Sequence, residues 1–192
     1  MRTFKLTALT VLPLLTGTVG SLVALGSNAQ DRDDACRGFV QSFYYWYTPI
    51  AMDDTAFPSA MDLAIQSQVL SPDLGSLLEE IGAAAISGGG EIFLSVDPFT
   101  NSEDLWKKFV VGDVTRKGDH YFAEVYGVSP EKKDLNPNVV AELVFQSGRW
   151  IFVNFHYPGY PVSSGQENLL SILRRIHRSM QPQYSRPERG GP

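Results

Sequence analysis

The chain has 192 residues, 43% of them hydrophobic, and a formal net charge of −5, which is enough apolar material for one packed domain. Sixteen Lys and Arg against 21 Asp and Glu exclude general nucleic-acid binding, which needs a basic surface to displace counterions. The single cysteine, Cys36, excludes an internal disulfide framework.

Residues 1–29 read as a secretory signal peptide: Arg2 and Lys5, an apolar run from Leu6 to Gly26 interrupted by Pro13, then the small-residue exit Ser27-Asn28-Ala29. Cleavage is expected before Gln30, which places the mature protein in the periplasm or outside the cell, with no membrane span after processing. Asp33-Asp34-Ala35 before Cys36 does not suit lipid attachment, and a thiol buried on the first helix is the expectation.

Asp33 or Asp34 can cap a helix beginning near Ala35. Phe39, Phe43, Trp46/Tyr47 and Ile50 then recur at helical spacing. Large rings at that spacing usually pack a core; the functional alternative points the hydroxyl of Tyr44 or Tyr47 into a cavity. Thr48-Pro49 is expected to end or kink the helix. A polar loop leads to Pro58-Ser59-Ala60 and a short second helix with Met61, Ala64 and Ile65 inward. Ser71-Pro72-Asp73 opens a third, with Leu74, Leu77, Leu78 and Ile81 inward. Ser87-Gly88-Gly89-Gly90 ends it.

The loop Asp97 to Asp104 carries three carboxylates and one apolar side chain, Phe99. It is expected to dock through Phe99 and to present its acids to solvent or to a cavity mouth. Phe109–Thr115 and Tyr121–Val128 read as a hairpin. With Lys117-Gly118 as its loop, Val110, Gly112, Val114, Tyr121, Ala123 and Val125 share one face, and Asp113, Thr115, His120 and Glu124 the wetter one.

The most strand-like stretch is Trp150 to Pro158, preceded by Val139 to Phe145. With Ser147-Gly148 as a two-residue loop, Phe145 faces Trp150, Leu143 faces Phe152, Ala141 faces Asn154 and Val139 faces His156. These eight share the inner face, and Glu142, Gln146 and Arg149 lie opposite. Gln166 to Met180 reads as a final helix with Leu169, Leu170, Ile172, Leu173 and Ile176 inside. The Pro/Gly/Arg-rich stretch 181–192 reads as a disordered basic tail. From Ser171 onward five Arg stand against one Glu; arginines at a helix C-terminus suit its dipole.

The phrases Phe39 to Tyr47, Leu70 to Leu74, Asp97-Pro98-Phe99, Val110-Val111-Gly112, Trp150 to Pro158 and Asn168 to Leu173, in that order, resemble the bacterial envelope family catalogued as domain of unknown function 3828. The resemblance spans about residues 38–176. It implies a nuclear-transport-factor-2-like fold: an α+β domain over 30–180, with N-terminal helices and a C-terminal helix against a curved antiparallel sheet around a cone-shaped cavity. That class hosts enzymes and binding domains alike, so fold alone does not give function.

Nucleophile elbow, zinc-protease, phosphate-loop and dinucleotide motifs are lacking, and the three His residues, His120, His156 and His177, show no metal-ligand spacing. No catalytic residue, metal or cofactor is assigned. The favoured reading is a non-enzymatic exported binding domain for a small apolar ligand or an envelope protein. Its expected site is an aromatic cavity between helices and sheet, lined by Tyr44, Tyr47, Trp150, Asn154 and His156 with Asp97 and Asp104 at its mouth. Two alternatives stand beside it: an inhibitor or immunity-type protein acting on an envelope enzyme, and a small hydrolase or isomerase using His156 with Asp97 or Asp104. Asn154 and His156 also have a structural reading, in which Asn154 ties down a loop or helix end.

Overall fold

The computed structural model describes residues 24–88, 96–102, 108–129, 136–158 and 168–181. The expected leader up to residue 23, Asp104 and the tail beyond Gln181 lie outside them. The fold is α+β. Helices α1 (Ala24–Ala51), α2 (Ala60–Gln66) and α3 (Pro72–Gly88) precede strands β1 (Lys108–Lys117), β2 (His120–Val128), β3 (Val139–Gln146) and β4 (Arg149–His156), and α4 (Leu169–Met180) closes the chain. The strands form an antiparallel meander in the order β1-β2-β3-β4. No described helix is long and apolar enough to cross a membrane.

Helix α1 is longer than its sequence signals, and Pro49 lies inside it. Pro49 is exposed, as is Tyr45 four residues earlier, so the carbonyl that loses its donor has water instead. Tyr47 and Thr48 are buried and hold that last turn against the core. The buried stripe is Cys36, Val40, Phe43, Tyr44 and Tyr47, with Phe39, Trp46 and Ile50 packed at its margins. Burial, with Asp33 adding to it, pushes the Cys36 thiol up to about 12, as a buried thiol requires.

The short helices start where their caps dictate. Ser59 and Asp62 form a reciprocal capping box at α2. The Ser71 hydroxyl accepts from the Leu74 amide at 3.3 Å, ahead of Pro72 in the first turn of α3.

Both hairpin registers depart from strict alternation, each at one bulge. The β1–β2 loop is Gly118-Asp119 rather than Lys117-Gly118, because Lys117 pairs with His120. Gly118, at φ +63°, supplies the positive φ that a II′ turn needs at its first central position. Further along, Val111 pairs with Val125 and Val114 with Ala123, so β1 has one residue more than β2 between those rungs. Phe109 and Val111 therefore face inward, not the expected Val110 and Gly112; Val114 rejoins the inner side beyond the bulge. A Cβ on Gly112 would stand 2.7 Å from Tyr126 Cε2, so any other residue there requires that ring to move.

In the second hairpin Phe145 pairs with Trp150 and Leu143 with Phe152, as read from the sequence. Then Glu142 pairs with Asn154, Ala141 with Phe155 and Val140 with His156. The extra residue on β4 is Val153. It breaks the expected Ala141–Asn154 and Val139–His156 pairs and turns both Asn154 and His156 off the inner face, to the side of Glu142 and Val140.

The outer edges of the sheet are covered. On β4, the Phe152 amide donates to Val69 O and its carbonyl accepts from the Ser71 amide, both at 2.8 Å. On β1, the Gln41 side-chain amide acts as a strand residue would. Its Nε2 donates to Phe109 O at 3.0 Å, and its Oε1 accepts from the Val111 amide at 3.0 Å. Arg37 Nε donates to Gly112 O at 2.9 Å, holding the bulge. Edge groups satisfied in this way offer no template to another chain.

Candidate functional site

Two constellations emerge, one on each side of the sheet. On the inner side, α1 meets the sheet through interlocking rings. Phe43 stacks on Tyr47 at 5.0 Å and meets Phe152 edge-on at 5.0 Å. Phe99, fully buried, meets Phe43, Tyr47 and Phe155 edge-on at 5.6, 5.2 and 5.0 Å. Such pairs add to what area burial alone provides.

Around this cluster three tyrosines hold the Asp97 loop by its polar groups. The Tyr44 hydroxyl donates to Phe99 O at 2.5 Å and that of Tyr157 to Pro98 O at 2.8 Å. The Tyr47 hydroxyl donates to Asp97 Oδ2 at 2.5 Å. The other carboxylate oxygen, Oδ1, accepts from the amides of Phe99 and Thr100 and from the Thr100 hydroxyl at 2.9–3.0 Å. Phe99 thus anchors the loop as expected, and Asp97, half-buried, has protein donors on both carboxylate oxygens. It is the loop's internal tie. Burial raises the Asp97 carboxyl above its ordinary value even though every one of these donors favours the charged form. Burial and the nearby Asp97 charge likewise raise the Tyr44 and Tyr47 hydroxyls.

Of the other residues expected to line a cavity, Trp150 packs edge-on against Tyr121 at 4.8 Å and Phe145 at 5.0 Å, at the turn end of the sheet. Asn154 is buried, and its role here is that of a helix tie. Its Oδ1 accepts from the Leu170 amide at 3.1 Å and from the Phe155 amide at 3.0 Å. Leu170 is the second residue of α4, and its amide has no acceptor within the helix. The cap Asn168 takes the next amide, that of Ser171, at 3.0 Å. Two asparagines thus divide the start of α4 between them. Asn154→Ala leaves both of its donors without an acceptor and should destabilise the fold by about 1–3 kcal/mol. Urea unfolding at neutral pH reads this, and an unchanged midpoint would remove Asn154 from the fold's supports.

His156 completes the second constellation, on the outer face. The carboxylate of Glu142, on β3, lies between two imidazoles. Its Oε1 is 2.7 Å from His120 Nδ1 on β2, and its Oε2 is 2.7 Å from His156 Nε2 on β4. A carboxylate only accepts, so each facing nitrogen carries the hydrogen. The bridge ties three strands together across the face and fixes the His156 ring, leaving Nδ1 for other partners. Beside it runs an open groove of about 360 Å³. Phe122 and Val140 form its floor, Tyr157 and Pro158 one wall, and Thr115, Lys117 and His156 supply its polar groups. Phe122 is central: its ring lies 5.8 Å from that of His156 and 5.3 Å below Lys117 Nζ.

The structure therefore brings Tyr44, Tyr47 and Asp97 together, sets Asn154 beneath α4 and Trp150 at the turn end, and moves His156 to the opposite face. Phe122, Lys117 and Glu142 were not singled out from the sequence, where Glu142 and His120 read as solvated strand residues. Among the described residues no cluster of three or more His, Cys, Asp or Glu is arranged to hold a metal. Comparison of the chain with protein-family models, with curated proteins and with solved structures gave no match.

Proposed function

We propose that this chain is an exported, non-enzymatic binding protein whose ligand lies in the outer groove. The observation that carries the reading is a concave, largely apolar surface with a few fixed polar groups, the usual composition of a small-molecule site. The aromatic space between α1 and the sheet supports the reading less well, because the hydroxyls of Tyr44 and Tyr47 are engaged by the Asp97 loop. In this proposal the helices and sheet adopt the cone-shaped, nuclear-transport-factor-2-like arrangement of the envelope family that the sequence resembles. The leader-like first 29 residues support export to the periplasm or beyond.

Native mass spectrometry of the protein recovered from its own cell envelope tests the proposal. The expected species begins at Gln30 and carries a small-molecule adduct that is lost with Phe122→Asp. Bare polypeptide in every charge state would overturn the binding reading, and a full-length chain confined to the cytoplasm would overturn export.

One observation favours a second reading, a hydrolase or isomerase. The Glu142–His156 bond orients an imidazole beside the groove, as a carboxylate orients a general base. The partner expected for His156 was Asp97 or Asp104; in the structure it is Glu142.

A further inference from the structure

We propose that the groove takes a small amphiphile with a flat apolar body and one carboxylate, and that Lys117 receives the carboxylate. The inference rests on the reading of the groove as the binding site and names its ligand class.

Three observations point to an acid. Among the described residues no Asp or Glu lines the groove, whose polar groups are the Thr115 hydroxyl, the Lys117 ammonium and the His156 imidazole. The carboxylate of Glu142, on the same outer face, has an imidazole against each of its oxygens. Lys117 itself makes no ion pair among the described residues. Elsewhere among the described residues Arg37 pairs with Asp34 and Arg174 with Asp73.

The shape points to a flat body. Lys117 Nζ stands over the Phe122 ring at 5.3 Å, at one end of a floor continued by Val140 toward Tyr157 and Pro158. A planar ligand lying on Phe122 and Val140 places its acid group against the ammonium and the Thr115 hydroxyl, and its apolar end against the proline wall. A volume of about 360 Å³ accommodates a two-ring body.

The test uses the purified full chain and two probes of equal shape, naphthalene-2-carboxylate and its neutral amide, followed by amide chemical shifts in an NMR titration. The expected result is that the acid shifts the amides of Thr115, Lys117, Phe122, Val140 and His156. It should bind more tightly than the amide and weaken with salt. Lys117→Gln should lower acid affinity about fivefold, the scale of an exposed ion pair, and leave amide affinity unchanged. Phe122→Ala should weaken both probes. Lys117 is exposed and its ammonium stands over the Phe122 ring, so urea unfolding of Lys117→Gln beside wild type separates a loss of binding from a loss of that contact. Equal affinity for the two probes, unmoved by Lys117→Gln, would overturn the acid class and leave the groove standing. Shifts at neither probe, or shifts confined to residues outside the groove, would overturn the groove reading itself.

Discussion

Replacing Phe99 with alanine is expected to lower the unfolding free energy by about 3–5 kcal/mol, the range for removing a fully enclosed ring from a core. The size of the effect follows from what the ring touches. Phe99 has no exposed surface, and its neighbours Phe43, Tyr47 and Phe155 come from two different elements, α1 and β4. None of them can close the gap without leaving its other ring partners. The loss is a large fraction of the stability of a domain this size. Phe99→Leu, which retains much of the volume, should lose considerably less. Urea unfolding of both variants reads the comparison. A Phe99→Ala midpoint equal to wild type would mean that the loop is not anchored by its ring, and equal losses for Ala and Leu would mean that packing volume is not the cause.

The legibility of this fold in its sequence follows the same residues. The three N-terminal helices, the two hairpins and the final helix are all signalled by caps, periodicity and turn chemistry. Ser71 with Pro72, and Ser147-Gly148, did what residue types alone predict. The registers are where strict alternation failed. On β4 and at its end the inward rings are Trp150 and Phe152, then Phe155 and Tyr157; the parity changes between them. A bulge at Val153 keeps all four rings out of solvent, whereas the regular strand turns Asn154 and His156 to the inner face in place of Phe155 and Tyr157. The same change of parity stands in β1, where Phe109 and Val111 give way to Val114 around Gly112. The hydrophobic contribution of a large ring exceeds the loss of one ladder bond, so the apolar pattern decides the register. With the change of parity, His156 stands with His120 against Glu142 on the outer face, not on the inner face that strict alternation assigns it.

What residue types could not signal is the direction of the Asp97 charge. A loop with several acids reads as solvated, because isolated carboxylates are seldom buried. Asp97 is half-buried, and its carboxylate is held there because its neighbours supply donors at short range, two amides and a hydroxyl from the turn itself, and because α1 brings the Tyr47 hydroxyl to the other oxygen. The turn donors belong to local sequence, since an Asp at the head of a turn bonds amides two and three residues on. The tyrosine lies 50 residues away, and only the packing of α1 on the sheet places it there.

Asp97→Ala is expected to cost roughly 2–4 kcal/mol, because it leaves the buried Tyr47 hydroxyl and the Phe99 and Thr100 amides without their acceptor. Asp97→Asn retains an oxygen at the site and should cost less at neutral pH. The two carboxyl states separate further with pH. Burial raises the folded carboxyl above its ordinary 3.8, so between that value and the folded one the native state binds more protons than the unfolded chain. Stability contributed by the protonated acid is then fully present below 3.8 and is lost as pH rises through the folded value. The advantage of wild type over Asp97→Asn, whose amide does not titrate, should therefore be greatest in acid and shrink toward neutrality. Urea unfolding of the two proteins side by side from below 3.8 to neutral pH measures that difference, and the comparison cancels the titration of the other acids. A wild-type advantage that grows with rising pH would mean that the four donors outweigh burial and that the folded carboxyl lies below its ordinary value. The tie between α1 and the loop would then be an ion held by its hydrogen bonds rather than an acid held up by its burial.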